Sequence, residues 1–142
     1  MMEKNNPFIG AWKLISWKNI HLSGAVTYPC GTHPVGYLLY TEDGYMAAQV
    51  MDPDQHQRDA SLPVEPGLAG RDRLTAGVTY LSYCGTYSYS MQEEMMTHHV
   101  KASSIPGWIG KDQPRHFEFK DGKLFLSYKG AKLMWERAVP HA

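Results

Sequence analysis

A chain of 142 residues is long enough for one domain with a hydrophobic core and too short for two independent cores. Hydrophobic residues make up 43% and charged residues 20% of the chain, which is typical of a folded soluble domain and excludes a disordered one. The 14 Lys and Arg residues balance the 14 Asp and Glu residues, so no net field favours nucleic acid or an anionic membrane as a partner.

The compartment is predicted from absent signals. No apolar run approaches the roughly 20 residues that a membrane-spanning helix needs. The start of the chain has no apolar stretch, which predicts that a signal peptide is absent. Cys30 and Cys84 are too few for a disulfide framework. We therefore expect a cytoplasmic protein in which both thiols are reduced and buried.

The first part of the chain contains short alternating segments between turn residues. Four strands are predicted in it, at residues 8–17, 25–28, 35–40 and 45–51. A three-residue turn that ends at Gly44 pairs Tyr40 with Met46 and points both side chains inward, whereas a four-residue turn reverses them. Tyr40 and Met46 are therefore candidates for the barrel interior, on condition that the shorter turn forms.

The middle of the chain predicts a long loop and the one helix. Residues 52–70 are rich in Pro, Asp and Gly, which is typical of a loop. Asp72 is a candidate N-cap, and Leu74, Val78 and Leu81 follow at the spacing of one helical face. We expect a helix of about three turns here.

The second half predicts a β-meander, beginning with strands at residues 85–90 and 95–103. A two-residue turn between these strands places Tyr87 opposite His98 and points His98 and Met96 inward.

Two further turns, Asp121-Gly122 and Lys129-Gly130, connect the last three strands. Both turns select one inward face, formed by Phe117, Phe119, Leu124, Leu126, Leu133 and Trp135. The same register turns Arg115 inward beside Tyr128. A shift of one residue would bury the charged face instead, so the pattern specifies the register.

These segments predict an all-β fold, a single antiparallel β-barrel of eight or nine strands with one short helix. Closure into a barrel removes the exposed edges that such an array of strands would otherwise have. A barrel of about eight strands is either filled by side chains or holds one small ligand.

Gly10 and Trp12 on the first strand, with Arg137 on the last, resemble the Gly-x-Trp and C-terminal Arg pair of lipocalins, in which the Arg packs across the Trp ring. The wider pattern is similar to the small lipocalin-like domain family of bacteria and fungi over residues 34–46, 85–87, 97–100, 106–113 and 133–137. This resemblance implies a barrel of the lipocalin or fatty-acid-binding-protein type. It leaves the activity open, because the family has no single assigned activity and some lipocalin-like barrels act as cyclases or isomerases in natural-product pathways.

His98, Tyr87 and Arg115 are the candidate catalytic residues. An inward His opposite a Tyr can move a proton between carbon and oxygen, as enolisation or double-bond migration requires. Arg115 can hold a carboxylate or an enolate oxygen through two parallel hydrogen bonds. The alternatives are a buried structural His and a structural Arg that binds loop carbonyls or pairs with Asp112.

The chain contains 9 Tyr, 4 Trp and 8 Met, residue types that line pockets for apolar molecules but also fill solid cores. The candidate ligand-binding residues are Tyr40, Met46, Met96, Trp108, Phe117 and Tyr128. His99 is adjacent to His98 and therefore faces outward, so the pair does not form a metal site. We expect no metal and no other cofactor.

Three functions follow from this pattern. The first is a cofactor-independent cyclase or isomerase acting on a hydrophobic polyketide- or terpenoid-like molecule inside the barrel. The second is a non-catalytic carrier of a hydrophobic small molecule, and the third is a filled barrel that serves as an interaction module or forms a homodimer. A cavity of a few hundred Å³ is expected for the first two and not for the third.

Overall fold

In the computed structural model, which describes residues 5–54 and 80–141, nine antiparallel strands form one sheet. The strands are β1 (Gly10–Ile20), β2 (Val26–Thr27), β3 (Val35–Tyr40), β4 (Tyr45–Met51), β5 (Tyr80–Ser90), β6 (Met95–Ser103), β7 (Asp112–Lys120), β8 (Lys123–Tyr128) and β9 (Ala131–Arg137). A one-turn 3-10 helix, Pro106–Trp108, lies in the crossover between β6 and β7.

The long first strand closes the barrel. β1 pairs with β3 along one edge and with β9 along the other, so that eight strands form a complete ring. The short β2 pairs only with the end of β1 and lies outside this ring. The predicted all-β fold, a single antiparallel barrel, is confirmed.

The hairpins have the registers that their turn residues predict. The confirmed cross-strand pairs are Tyr40–Met46, Tyr87–His98, Phe117–Leu126 and Leu126–Leu133. Asp121 and Gly122 have φ of 53° and 75°, and Lys129 and Gly130 have φ of 45° and 87°. Left-handed backbone at both turn positions is the geometry that matches the twist of a two-residue hairpin.

The predicted helix and the predicted thiol burial need correction where the structure describes them. The helix from Asp72 lies outside the described residues except for Leu81, which is a buried residue of β5 and not the end of a helix. Cys30 is buried as expected, whereas Cys84 lies on the outward face of β5 and is exposed. Within the described part of the chain, no helix is long and apolar enough to cross a membrane.

One end of the barrel is closed by Trp12 and Arg137. The buried Trp12 ring lies under the Arg137 guanidinium, 4.1 Å from the ring centroid, and its Nε1 donates to the Phe8 carbonyl at 2.9 Å. Arg137 also donates to the carbonyl oxygens of Ile9 and Pro7. The expected stacking of Arg137 on Trp12 is confirmed.

Aromatic rings fill the barrel behind this closed end. The Phe8 ring is buried, and its centroid lies 4.9 Å from Tyr89, 5.0 Å from Phe117, 5.2 Å from Phe119 and 5.7 Å from Tyr40. Such dense packing leaves this half of the interior solid. Any space for a ligand therefore lies towards the other end.

The outer face of β3 and β4 is apolar. Val35, Tyr37 and Leu39 of β3 and Tyr45 and Met51 of β4 are exposed large hydrophobic residues, and neither strand contains a charged residue. An uncharged apolar face is compatible with association of two copies. The homodimer stays a prediction.

Candidate functional site

A cavity of about 380 Å³ lies inside the barrel. It is bounded by the second half of β1, the first half of β5 and the crossover that contains Trp108. The walls are mainly aliphatic and aromatic, with Leu38, Val50, Leu126 and Leu133 among them. This volume and lining are typical of a small-molecule site, and the presence of the cavity favours the two ligand-binding functions over the filled barrel.

His98 of β6 lies at the boundary between the cavity and the packed half. Its side chain is 1% exposed, and both ring nitrogens have tyrosine partners. The Tyr40 hydroxyl lies 2.6 Å from Nε2, and the Tyr83 hydroxyl lies 2.8 Å from Nδ1. Burial first, and then the nearby Arg115 and His99, lower the pKa of His98 to about 3, so the imidazole is neutral at physiological pH.

Hydrogen-bond counting assigns the donors in this Tyr40–His98–Tyr83 chain. A neutral imidazole has one donor nitrogen and one acceptor nitrogen. Among residues 5–54 and 80–141, His98 is the hydrogen-bond partner of both tyrosine hydroxyls, but Tyr83 also lines the cavity and Tyr40 does not. The Tyr40 hydrogen therefore has Nε2 as its acceptor. Nδ1 then carries the proton and donates to the Tyr83 oxygen. This leaves the Tyr83 hydrogen for an acceptor in the cavity that Tyr83 lines.

Tyr83 remains a neutral donor over the whole physiological range. Burial raises the pKa of Tyr83 to about 12, although the nearby Arg115 acts in the opposite direction. The phenol therefore donates a hydrogen bond, and its ionised form is scarce at neutral pH. Burial also raises the pKa of Tyr40 well above its usual value.

Arg115 of β7 brings a positive charge to the same cavity. Its guanidinium is half-buried and lies 5.3 Å from the Tyr128 ring centroid and 5.9 Å from the Trp108 ring centroid. Nη1 donates to the Pro114 carbonyl at 2.9 Å, and Nη2 is 3.5 Å from the Gln113 side-chain oxygen. The rings hold the guanidinium in place and leave donor capacity unused.

No carboxylate neutralises Arg115 in the described part of the chain. Asp112 pairs instead with His99 on the outer face, at 2.8 Å from Nδ1. His99 therefore faces outward as predicted. Asp112, the alternative partner predicted for Arg115, is thus bonded to another residue. The contact of Arg115 with the Pro114 carbonyl is the only feature of the predicted structural role among the described residues.

Tyr87 is not bonded to His98, although the two residues are cross-strand partners. The Tyr87 ring packs on Tyr40 with centroids 4.6 Å apart, and this arrangement carries its hydroxyl towards the closed end. There the hydroxyl donates to the Thr41 carbonyl at 2.7 Å and accepts from Asn6 at 2.9 Å. The structure thus brings His98 and Arg115 to the cavity and places Tyr87 away from it.

The candidate ligand-binding residues divide between the two halves of the barrel. Trp108 and Tyr128 line the cavity. Tyr40, Met46, Met96 and Phe117 are buried in the packed half and do not line it. The reason is that alternation identifies the inward face of a strand but not the depth along the barrel at which a cavity opens.

Sequence reasoning missed Tyr83 and Trp17, which both line the cavity. Tyr83 lies two residues before Gly85, at which the predicted strand begins, and continuing the alternation would have found it. Trp17 faces inward because the pairing of β1 with β9 shifts between Leu14 and Ser16. No simple sequence signal marks that bulge.

An antiparallel barrel that is packed at one end and has an apolar cavity with few polar groups at the other is a barrel suited to binding a hydrophobic small molecule. The chain belongs to the lipocalin-like domain family, which it matches over residues 9–139. A comparison with curated proteins finds no match.

Two solved structures are among those similar to this chain. An uncharacterized protein from Bacteroides eggerthii DSM 20697 is 14% identical with a TM-score of 0.50, and the match covers 92% of this chain and 99% of that one. A mutant of the fluorescent protein UnaG is 19% identical with a TM-score of 0.41, and the match covers 93% of this chain and 96% of that one. The first of these shows a shared fold and nothing about the ligand.

Proposed function

We propose that this protein binds an apolar small molecule that carries a carboxylate or a similar oxygen anion. The apolar body occupies the barrel cavity, and the anionic oxygen lies between the Arg115 guanidinium and the Tyr83 hydroxyl. The predicted role of Arg115 in holding a carboxylate is thus retained. The predicted proton transfer by His98 is not retained, because both of its nitrogens are bonded to tyrosines. We assign His98 instead to positioning the Tyr83 hydroxyl.

The observation that carries this proposal is the charge balance of the cavity. Arg115 is the only permanently charged side chain among the described lining residues, and it lacks a carboxylate partner in that part of the chain. A half-buried charge without a counter-ion is costly, and an anionic ligand would remove that cost. The Tyr83 hydroxyl, which the His98 tautomer leaves as a donor, would add a second hydrogen bond to the same oxygen group.

Calorimetric titration with decanoate and decylamine tests the proposal, since the two probes share one chain and differ in the charge of the head group. Decanoate is expected to bind and decylamine is not. Replacing Arg115→Met should weaken decanoate binding about 10- to 100-fold, because a charge-assisted hydrogen bond contributes roughly 1.5–3 kcal/mol. The decanoate affinity of Arg115→Lys should lie between those of the unaltered protein and Arg115→Met, since the lysine ammonium is charged but lacks the planar fork of donors.

Lys101→Met is the matched control, because Lys101 is an exposed cation on the outer face of β6. Its decanoate affinity should equal that of the unaltered protein. Equal binding of decanoate and decylamine, or unchanged affinity in Arg115→Met, would contradict an anion site at Arg115.

A cyclase acting on a polyketide- or terpenoid-like carbonyl compound is the second candidate, and the paired donors at Tyr83 and Arg115 favour it. Donors fixed in an apolar site stabilise negative charge that develops on a carbonyl oxygen. An isomerase that abstracts a proton from carbon has less support. With the pKa of His98 at about 3 and that of Tyr83 at about 12, neither group is an effective base at neutral pH.

Incubation of the protein with hydrophobic extracts in D₂O separates these activities. A cyclase of this kind adds a hydroxyl oxygen of the substrate to its carbonyl carbon while the hydroxyl proton passes to the carbonyl oxygen. After back-exchange in H₂O its product has unchanged mass and altered chromatographic retention, whereas proton abstraction from carbon leaves deuterium bound to carbon. Tyr83→Phe should slow the cyclase about 100-fold, as loss of one oxyanion donor typically does. Tyr37→Phe on the exposed outer face of β3 is the control. Retention of unaltered molecules alone would support the carrier.

A further inference from the structure

Three residues that line the cavity each have a buried polar atom with no hydrogen-bond partner among residues 5–54 and 80–141. These atoms are the indole Nε1 of Trp17, the indole Nε1 of Trp135 and the side-chain oxygen of Asn19. Trp135 is 2% exposed, so solvent at the surface does not satisfy its N–H. Buried polar groups are normally bonded, and three exceptions on one cavity need a common explanation.

These residues belong to one wall of the barrel. Trp17 and Asn19 are alternate residues of β1, and Trp135 belongs to β9, which pairs with β1. Trp17 is opposite Leu133, two residues from Trp135 along the inward face of β9. The bulge between Leu14 and Ser16 precedes both β1 residues and turns them inward, and bulges commonly redirect side chains next to functional sites.

The same wall is far from Tyr83 around the barrel. In the strand order, β5 is separated from β1 by β3 and β4, and from β9 by β6, β7 and β8. In a ring of eight strands this places β5 across the lumen from the junction of β1 and β9. The cavity therefore has polar groups on two opposite walls, with aliphatic side chains between them.

We propose that the wall formed by Trp17, Asn19 and Trp135 is a second polar subsite, which binds a hydroxyl group on the apolar body of the ligand. This inference rests on the anion site at Arg115, and it defines the ligand class as a hydroxylated apolar acid. A hydroxyl oxygen accepts from an indole N–H while its hydrogen is donated to the Asn19 oxygen. A carbonyl would satisfy the indoles alone, and a plain hydrocarbon would satisfy none of the three atoms.

Titration with decanoate and its series of monohydroxydecanoates tests the subsite. At least one positional isomer should bind about 5- to 10-fold more tightly than decanoate, the gain expected from one net hydrogen bond. Trp17→Phe and Asn19→Leu should each remove this preference, so that the ratio of hydroxydecanoate affinity to decanoate affinity falls to about one. Arg115→Met should weaken both kinds of acid equally.

The indole N–H signals in ¹H–¹⁵N NMR spectra give a second readout that does not depend on the anion site. Neutral secondary decanols should shift the Trp17 and Trp135 signals in the unaltered protein and in Arg115→Met. The Trp12 signal is the internal control, because its Nε1 is already bonded to the Phe8 carbonyl. Absence of any shift, or equal affinity for all the acids, would mean that water satisfies these atoms and would overturn the subsite. If decanoate did not bind while the decanols still shifted the Trp17 and Trp135 signals, the anion site would be wrong and the subsite would stand.

Discussion

Gly85→Ala is expected to lower the free energy of unfolding by about 3 kcal/mol, the upper end of the usual range for overpacked sites. A Cβ at position 85 would lie 1.9 Å from the carbonyl oxygen of His99, a backbone atom of the neighbouring strand β6. A flexible side chain could move away, but here the paired strands themselves must separate. The pairing of β5 with β6 already shifts between Cys84 and Gly85, so this contact is built into the barrel.

Gly107→Ala is the matched control, since a Cβ at position 107 meets no atom of the described residues within 4 Å. Its free energy of unfolding should stay within about 0.5 kcal/mol of the original value, as is usual for an open surface site. Chemical denaturation of both variants measures the difference. Superimposable unfolding curves for the two alanine variants would show that β5 and β6 do not approach as closely at Gly85 as described.

Acid is expected to destabilise the protein through His98. The pKa of this imidazole is about 3 in the folded chain, because burial first and then Arg115 and His99 disfavour the charged form, against 6.5 in the unfolded chain. The unfolded state therefore binds the proton across this interval. The free energy of unfolding should fall as the pH decreases from about 6.5 towards about 3, and His98 should contribute no pH dependence above that range.

The expected loss at about pH 4.5 is on the order of 3 kcal/mol, measured as the part of the acid destabilisation that disappears in His98→Gln. Glutamine retains an acceptor for Tyr40 and a donor for Tyr83 but does not titrate. His116→Gln on the exposed face of β7 is the control for loss of a histidine. If His98→Gln and the unaltered protein lost stability in parallel on acidification, a neutral buried His98 would be the wrong description.

Local turn chemistry explains why the registers of the later hairpins were predictable. Asp121-Gly122 and Lys129-Gly130 are two-residue turns, and such turns leave only one way to pair the flanking strands. These turns predicted which side chains face inward over residues 117–135, including Leu124 and Trp135. The Trp12 and Arg137 contact was likewise predictable, because a resemblance over the ends of the chain indicated it.

The cavity was less predictable, because its position depends on packing between distant segments. Phe8 precedes the first strand, and its ring occupies the space against Phe117 that the alternation alone would assign to a ligand. Tyr83 and Trp17 face the cavity through an earlier start of β5 and a bulge in β1, which are set by pairing with other strands. The partner of the Tyr83 hydroxyl likewise follows from three strands meeting at His98, which no single segment encodes.

The most direct test of the central claim is a crystal structure of the protein with decanoate. The account predicts the alkyl chain in the barrel cavity and a carboxylate oxygen within hydrogen-bond distance of both an Arg115 Nη atom and the Tyr83 hydroxyl. Decanoate bound only on the outer surface, or in the cavity with its carboxylate away from Arg115 and Tyr83, would contradict it.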